Sequence, residues 1–252
     1  SKWATELGET VKSNKEARQE VKDFVFENIK QLENVYLAGG EPMLMKENME
    51  FLLLLKEKNP NCNVRVNSNL STTKTGIFEL LCELPNVHWT VSVESIEEEY
   101  NYIRYHGNWD DFNNNIDVIS KLDHKITFNM LHFILNYNSI HNCVDYLKGK
   151  GFIDNSFVIG PLYSPPHLCT MNLPDEMMHK VLFDLNAKLD KKPEGYLKNS
   201  YENLIEYYTT TNFKKNMKSF YYNVGVMDQR RKQDARKVFP ELFKGLDDYT
   251  LE

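Results

Sequence analysis

No uninterrupted apolar run is longer than Phe51–Leu55, far short of the ~20 residues that a bilayer-spanning helix needs. No cationic, apolar leader opens the chain, so the expected setting is cytoplasmic and reducing. Basic residues are not in excess: 30 against 36 acidic ones leave a net charge of −6, which gives no electrostatic support to a nucleic-acid partner and none to a membrane surface. Cysteine is sparse. Cys62, Cys82, Cys143 and Cys169 are scattered, no two at metal-ligand spacing, and they read as buried or half-buried thiols. A disulfide framework is not expected in a chain large enough to build its own core. There is no internal repeat and no low-complexity tract. With 41% hydrophobic and 26% charged residues, wholesale disorder is excluded.

Apolar, β-rich runs alternate with helical periodicity over the first two-thirds of the chain. Val11–Leu32 reads as an amphipathic helix with Val21, Phe24, Val25, Ile29 and Leu32 on one face. Strands are expected at Asn34–Ala38, Asn63–Asn67, Val87–Val93, Lys125–Leu135 and Ser156–Leu162. Helices are expected at Met45–Lys58, Thr73–Leu84, Ile96–Tyr105, Trp109–Leu122 and Ser139–Lys150. Continuous apolar strands separated by helices imply parallel pairing, since crossover helices must cover the sheet. A doubly wound sheet and a partial β/α barrel both fit five such strands. Beyond Tyr163-Ser-Pro-Pro-His167 the chain reads as helical at Pro174–Leu189, Tyr196–Tyr208, Phe213–Tyr222 and Asp228–Val238. The last carries Arg230, Arg231, Lys232, Arg236 and Lys237, a cluster that most often forms a solvated helix face.

Parallel α/β folds place ligands at the carboxyl ends of their strands, so the residues leaving those ends are the candidates. The first strand leaves through Gly39-Gly40-Glu41-Pro42. Two glycines let the backbone approach a ligand, and the glutamate either pairs with a ligand ammonium or sits solvated in a tight turn. The second strand leaves through Asn67-Ser68-Asn69, where positions 67 and 69 share a face by strand alternation, so two amides can point the same way, and Ser92 and Glu94 repeat that spacing on the third strand. Such polar side chains require partners, either sugar hydroxyls or internal hydrogen bonds. Arg104 has the charge and planarity to hold a carboxylate. Asn129 lies mid-strand, where an amide also needs a partner.

Ala38-Gly-Gly-Glu-Pro-Met-Leu44 resembles the Gly-Gly-Glu-Pro signature of radical S-adenosylmethionine (SAM) enzymes. Asn67-Ser-Asn-Leu-Ser71, Ser92-Val-Glu-Ser95 and Arg104-Tyr-His-Gly107 resemble that family's later strand exits, in order. Tyr163–His167 and Val238-Phe-Pro-Glu-Leu242 resemble the branch called twitch domain-containing. The resemblance implies a partial (β/α)6 TIM-like barrel over residues 1–167, lacking its first strand and cluster loop, followed by a mostly helical C-terminal extension over 168–252. It implies SAM held by Gly39, Gly40 and Glu41 at its ammonium, by Asn67, Asn69 and Ser92 along ribose and methionine with Glu94 assisting, and by Arg104 at its carboxylate, with Asn129 the weakest match.

A [4Fe–4S] cluster and an electron donor such as flavodoxin or ferredoxin are implied as well, with a peptide or small molecule as substrate. The chain departs from the family in one respect: it has no Cys-x3-Cys-x2-Cys loop. Lys2–Glu6 resembles the segment that follows that loop, so the first strand and loop are expected before Ser1. With Cys169 alone beyond residue 143, the C-terminal segment has no ligand set for an auxiliary cluster. The alternatives are a cluster-free SAM- or nucleotide-binding module on the same barrel, and an unrelated α/β enzyme in which Gly-Gly-Glu-Pro is coincidental.

Overall fold

The computed structural model describes residues 15–249; the Lys2–Glu6 resemblance and the start of the first expected helix lie outside them. The elements are α1 (Lys15–Glu27), β1 (Asn34–Leu37), α2 (Lys46–Lys58), β2 (Asn63–Ser68), α3 (Gly76–Glu83), β3 (Val87–Ser92), α4 (Glu97–Ile103), α5 (Trp109–Ile119), β4 (Lys125–His132), α6 (Ile140–Gly149), β5 (Phe157–Pro161), α7 (Asp175–Leu189), α8 (Gly195–Thr210), α9 (Met217–Arg231), α10 (Ala235–Val238) and α11 (Pro240–Tyr249). The strands form one sheet in the order β1-β2-β3-β4-β5, and β1 pairs with β2, and β4 with β5, in parallel. A doubly wound sheet reverses its strand order at a switch point. This order never reverses, which is the order of a barrel wall. By compactness the chain divides into residues 1–90 with 115–126, and 91–114 with 127–252.

In the first unit, α2 carries Glu47 in its first turn and Lys56 and Lys58 in its last, matching the helix dipole. Leu52 and Leu55 form its buried side. Asn59, just before Pro60, ends the helix and donates through Nδ2 to the carbonyls of Ile29 (2.9 Å) and Leu32 (2.7 Å). Thr75 caps α3 by accepting from Phe78 N (3.1 Å). The fully buried Trp89 packs on Phe78 and donates its indole N–H to His124 Nδ1 (3.1 Å). The apolar face expected on the first helix is not buried along its length: Val21 and Phe24 are exposed, and burial begins at Ile29.

In the second unit, Phe128 of β4 stacks on Phe157 of β5, with Phe152 edge-on. Three helices differ from expectation. The one expected from Phe213 starts at Met217, where Asn216 caps it by accepting from Ser219 N (3.0 Å), and it runs on to Arg231. The one expected over Asp228–Val238 does not exist as a unit, because Lys232 takes a left-handed conformation (φ 55°) that no α-helix interior tolerates. Arg230 and Arg231 therefore end α9, while Arg236 and Lys237 lie on α10. The third, α11, was not expected and begins at Pro240, a residue well placed at a helix start.

Two histidines of this unit are held neutral. His132 Nε2 meets the Tyr137 carbonyl (3.0 Å), which only accepts, so Nδ1 takes the hydroxyl proton of Tyr208 (2.7 Å). Burial pushes its pKa down to about 4, against the opposing pull of the Tyr137 carbonyl. His141 is pushed down to about 3 by burial, with Lys188 adding to it. An unfolded histidine binds its proton near 6.5. Between there and the folded values the unfolded chain holds more protons, so stability falls as pH falls, by ~1.4 kcal/mol per pH unit per ring. Urea denaturation between pH 7 and pH 5 is expected to show this loss, with a shallower slope in His141→Gln; equal slopes would contradict it.

Candidate functional site

The turn leaving β1 is built around Glu41. Gly39 adopts φ 136°, open to glycine and strained for other residues, and nothing lies within 4 Å of where a Cβ on Gly40 would stand. Pro42 then starts a short 3-10 turn. Glu41 is 9% exposed. Its Oε1 accepts from Ser68 Oγ (2.8 Å) and its Oε2 from Asn69 N (2.9 Å), with Met43 N at 3.4 Å from Oε1. The carboxylate is therefore turned into the protein and couples the β1 exit to the β2 exit.

The β2 exit is organised by the same network. Leu70 N donates to Ser68 Oγ (2.8 Å), and Asn115 Nδ2 donates to the Leu70 carbonyl (2.8 Å) while its Oδ1 accepts from Thr73 Oγ1 (3.0 Å). Leu70 itself is fully buried at φ 51°. The strand ends at Ser68, so Asn67 and Asn69 are not a pair of amides on one strand face. Asn69 Oδ1 accepts from Ser71 N (2.9 Å) and closes its own turn. Asn67 Oδ1 is buried without a hydrogen-bond partner. Ser68 was not among the expected residues, although the sequence held a signal for it: it shares a strand face with Val64 and Val66, where a hydroxyl needs an acceptor.

In the second unit, β3 ends at Ser92, which is half-buried, so Glu94 also lies past its strand. Arg104 closes α4 and clasps Glu94 with two donors: Nε to Oε2 (2.7 Å) and Nη2 to Oε1. The side chains are 25% and 6% exposed. Arg104, expected to reach for a ligand carboxylate, thus has a protein carboxylate as a bidentate partner. A Cβ on Gly107 would stand 2.6 Å from the Arg104 carbonyl, so glycine is needed there. The residues flanking Arg104 are gripped by the C-terminal segment. Tyr102 Oη donates to Asp228 Oδ1 (2.8 Å), Gln233 Nε2 donates to the Asn101 carbonyl (3.3 Å), and Arg231 lies over the Tyr105 ring (4.9 Å). Asn129 is exposed on β4, so water meets its amide and no internal partner is required.

The four thiols do not fit an iron–sulfur cluster. All are free, and burial raises each: Cys82 to about 11, with Glu83 and Glu79 adding to it, and Cys62, Cys143 and Cys169 upward as well. Cluster ligands are thiolates. Among the described residues no three His, Cys, Asp or Glu side chains are grouped to hold a metal. The SAM half fits better. The Gly39–Gly40 turn gives backbone access, and the orphaned Asn67 Oδ1 can accept from a ligand hydroxyl or amine.

Glu41→Gln and Ser68→Ala are each expected to cost about 1–3 kcal/mol of stability, because each strips a buried partner. In a double-mutant cycle the two losses are expected to fall short of additivity, since both break one network. Additive losses in urea denaturation would separate the residues and contradict the network.

Among known proteins, two solved structures similar to this chain carry the descriptions "Native anSMEcpe with bound AdoMet and Cp18Cys peptide" and "Native anSMEcpe with bound AdoMet". Both are 15% identical with a TM-score of 0.48; the alignments cover 68% and 66% of this chain, and 54% and 49% of those chains. The chain thus spans about half of their length. No curated protein matches it. Among the described residues no helix is long and apolar enough to cross a membrane. The family model described as Radical SAM superfamily matches residues 5–147, more than half of the chain and the whole stretch that carries the β1 to β3 exits. The chain belongs to the radical SAM superfamily.

Proposed function

We propose that this chain is the SAM-binding part of a radical SAM enzyme, in which reductive cleavage of SAM yields methionine and a 5′-deoxyadenosyl radical that abstracts hydrogen from a substrate. The observation that carries this reading is the turn of the superfamily signature itself, Gly39–Pro42, locked through Glu41 onto Ser68 and Asn69. Its backbone is assigned the methionyl ammonium. Glu41 gives the turn its shape and adds negative potential beside it.

Asn67 is assigned a ribose hydroxyl, which supplies the donor its Oδ1 lacks, and Asn69 borders the same turn. In the second unit Ser92 carries the ribose and methionine assignment, Arg104 the carboxylate, and Glu94 holds Arg104 in place. Asn129 is retained from the resemblance alone. The [4Fe–4S] cluster that supplies the electron in this superfamily has no ligands among the four cysteines, and no step here is routed through it. On the same resemblance a peptide or protein substrate is favoured over a small molecule, with a flavodoxin- or ferredoxin-type donor. The twitch assignment for the C-terminal helices rests there too. A second reading, a cluster-free module that binds SAM or a nucleotide, is favoured by the thiols, all buried or half-buried and all raised toward the protonated form.

Anaerobic iron–sulfide reconstitution of the longest gene product containing this chain separates the two. The enzyme reading expects a brown protein that cleaves SAM under reduction; a colourless protein that still binds SAM supports the module. In calorimetric titrations Glu41→Gln and Arg104→Ala are each expected to weaken SAM binding about tenfold, the first by removing the negative potential beside the turn and disturbing its shape, the second by removing a charge-assisted contact. Unchanged affinity in both would mean that the assignments are wrong.

A further inference from the structure

The first unit has a second concave feature, at the amino ends of its strands, away from Gly39 and Asn69. In the parallel register Asn34 stands beside Asn63 and Tyr36 beside Arg65, and these side chains line a groove of about 700 Å³ together with His88 of β3 and Lys125 at the start of β4. The volume suits a small-molecule ligand. Arg65 is held in place there. Its Nε donates to Thr90 Oγ1 (3.0 Å), and its guanidinium lies 5.7 Å from the centre of the Tyr36 ring.

Like charges on one sheet face repel, and this wall gathers Arg65 on β2 and Lys125 on β4, with the His88 imidazole on β3 between them. Burial, Lys125 and Arg65 together push the His88 pKa down to about 4, which places both cations within electrostatic reach of one ring. Asp123 is the acid that lines the groove. Among the described residues neither Arg65 nor Lys125 has a carboxylate at ion-pair distance. Both cations are thus exposed without a neutralising carboxylate, which leaves them available to an anion from solution.

We propose that this groove binds a small molecule through a phosphate group, with Arg65 and Lys125 holding the phosphate and Tyr36 flanking the remainder. Arginine's planar fork matches phosphate oxygens, lysine adds a point charge from two strands away, and two cations suit a dianion better than a single carboxylate. His88, neutral above pH 5, adds a hydrogen-bonding ring without a third charge. The site is independent of the SAM assignments.

Calorimetric titration of the whole chain with inorganic phosphate and with glycerol 2-phosphate, at constant ionic strength with chloride as the balancing anion, tests it. Saturable binding is expected, weakened about tenfold in Arg65→Gln and in Lys125→Gln. Both side chains are exposed, so unchanged melting temperatures are expected alongside. The bound anion is also expected to raise the His88 pKa, followed by NMR. Tighter binding of glycerol 2-phosphate supports the site as one for phosphomonoesters, and equal binding supports it as one for free phosphate. Absence of saturable binding by either, or unchanged affinity in both variants, would overturn the proposal.

Discussion

The buried carboxylate of Glu41 is the constraint from which the candidate site follows. It accepts from Ser68 Oγ and Asn69 N, joining two segments 28 residues apart. Charge-assisted bonds of this kind contribute roughly 1.5–3 kcal/mol each. Part of that supports local strain: a left-handed leucine costs about 1–2 kcal/mol, and Leu70 is held in that conformation by bonds from its N–H to Ser68 and to its carbonyl from Asn115, with its side chain fully buried. The network fixes where the β1 turn and the β2 exit stand. Under the proposed function, the groups left to meet a ligand at this end are backbone atoms around Gly39 and Gly40 and the unpartnered Asn67 oxygen.

A second carboxylate plays a comparable part in the other unit. Glu94 is nearly buried and holds Arg104 by two donors, while Asn136 Nδ2 donates to the Glu94 carbonyl (2.9 Å). Removing either partner leaves a poorly solvated charge, so the pair is stable as a pair. The C-terminal segment contributes here as well. Asp228, Arg231 and Gln233 hold Tyr102, Tyr105 and Asn101, on either side of Arg104. The basic run is thus divided by function: Arg231 stacks on Tyr105, and Arg236 pairs with Asp247.

The order and type of the first ten elements were legible because apolar strands and amphipathic helices differ in period, and their ends were marked by Asn59-Pro60, Thr75 and Gly151. The spatial order of the strands in the sheet was not, because two arrangements satisfy one pattern of alternation. Among site residues, the glycines at 39 and 40 and the pairing potential of Arg104 were visible. The orientation of Glu41 was not, because it depends on where Ser68 falls in β2. The break at Lys232 was hidden for a related reason. Lysine is a good helix former, and tertiary bonds to Asp228 from Ala235 N and Tyr102 override that preference.

The central claim is that the Gly39–Gly40 turn, held by Glu41, receives the amino-acid end of SAM. Titration of SAM into the isotopically labelled chain, followed through backbone amide resonances, tests it most directly. The account predicts saturable shifts at Gly39, Gly40 and Asn69, with small changes at β5. Shifts confined to other segments, with these three amides unmoved at saturation, would contradict it.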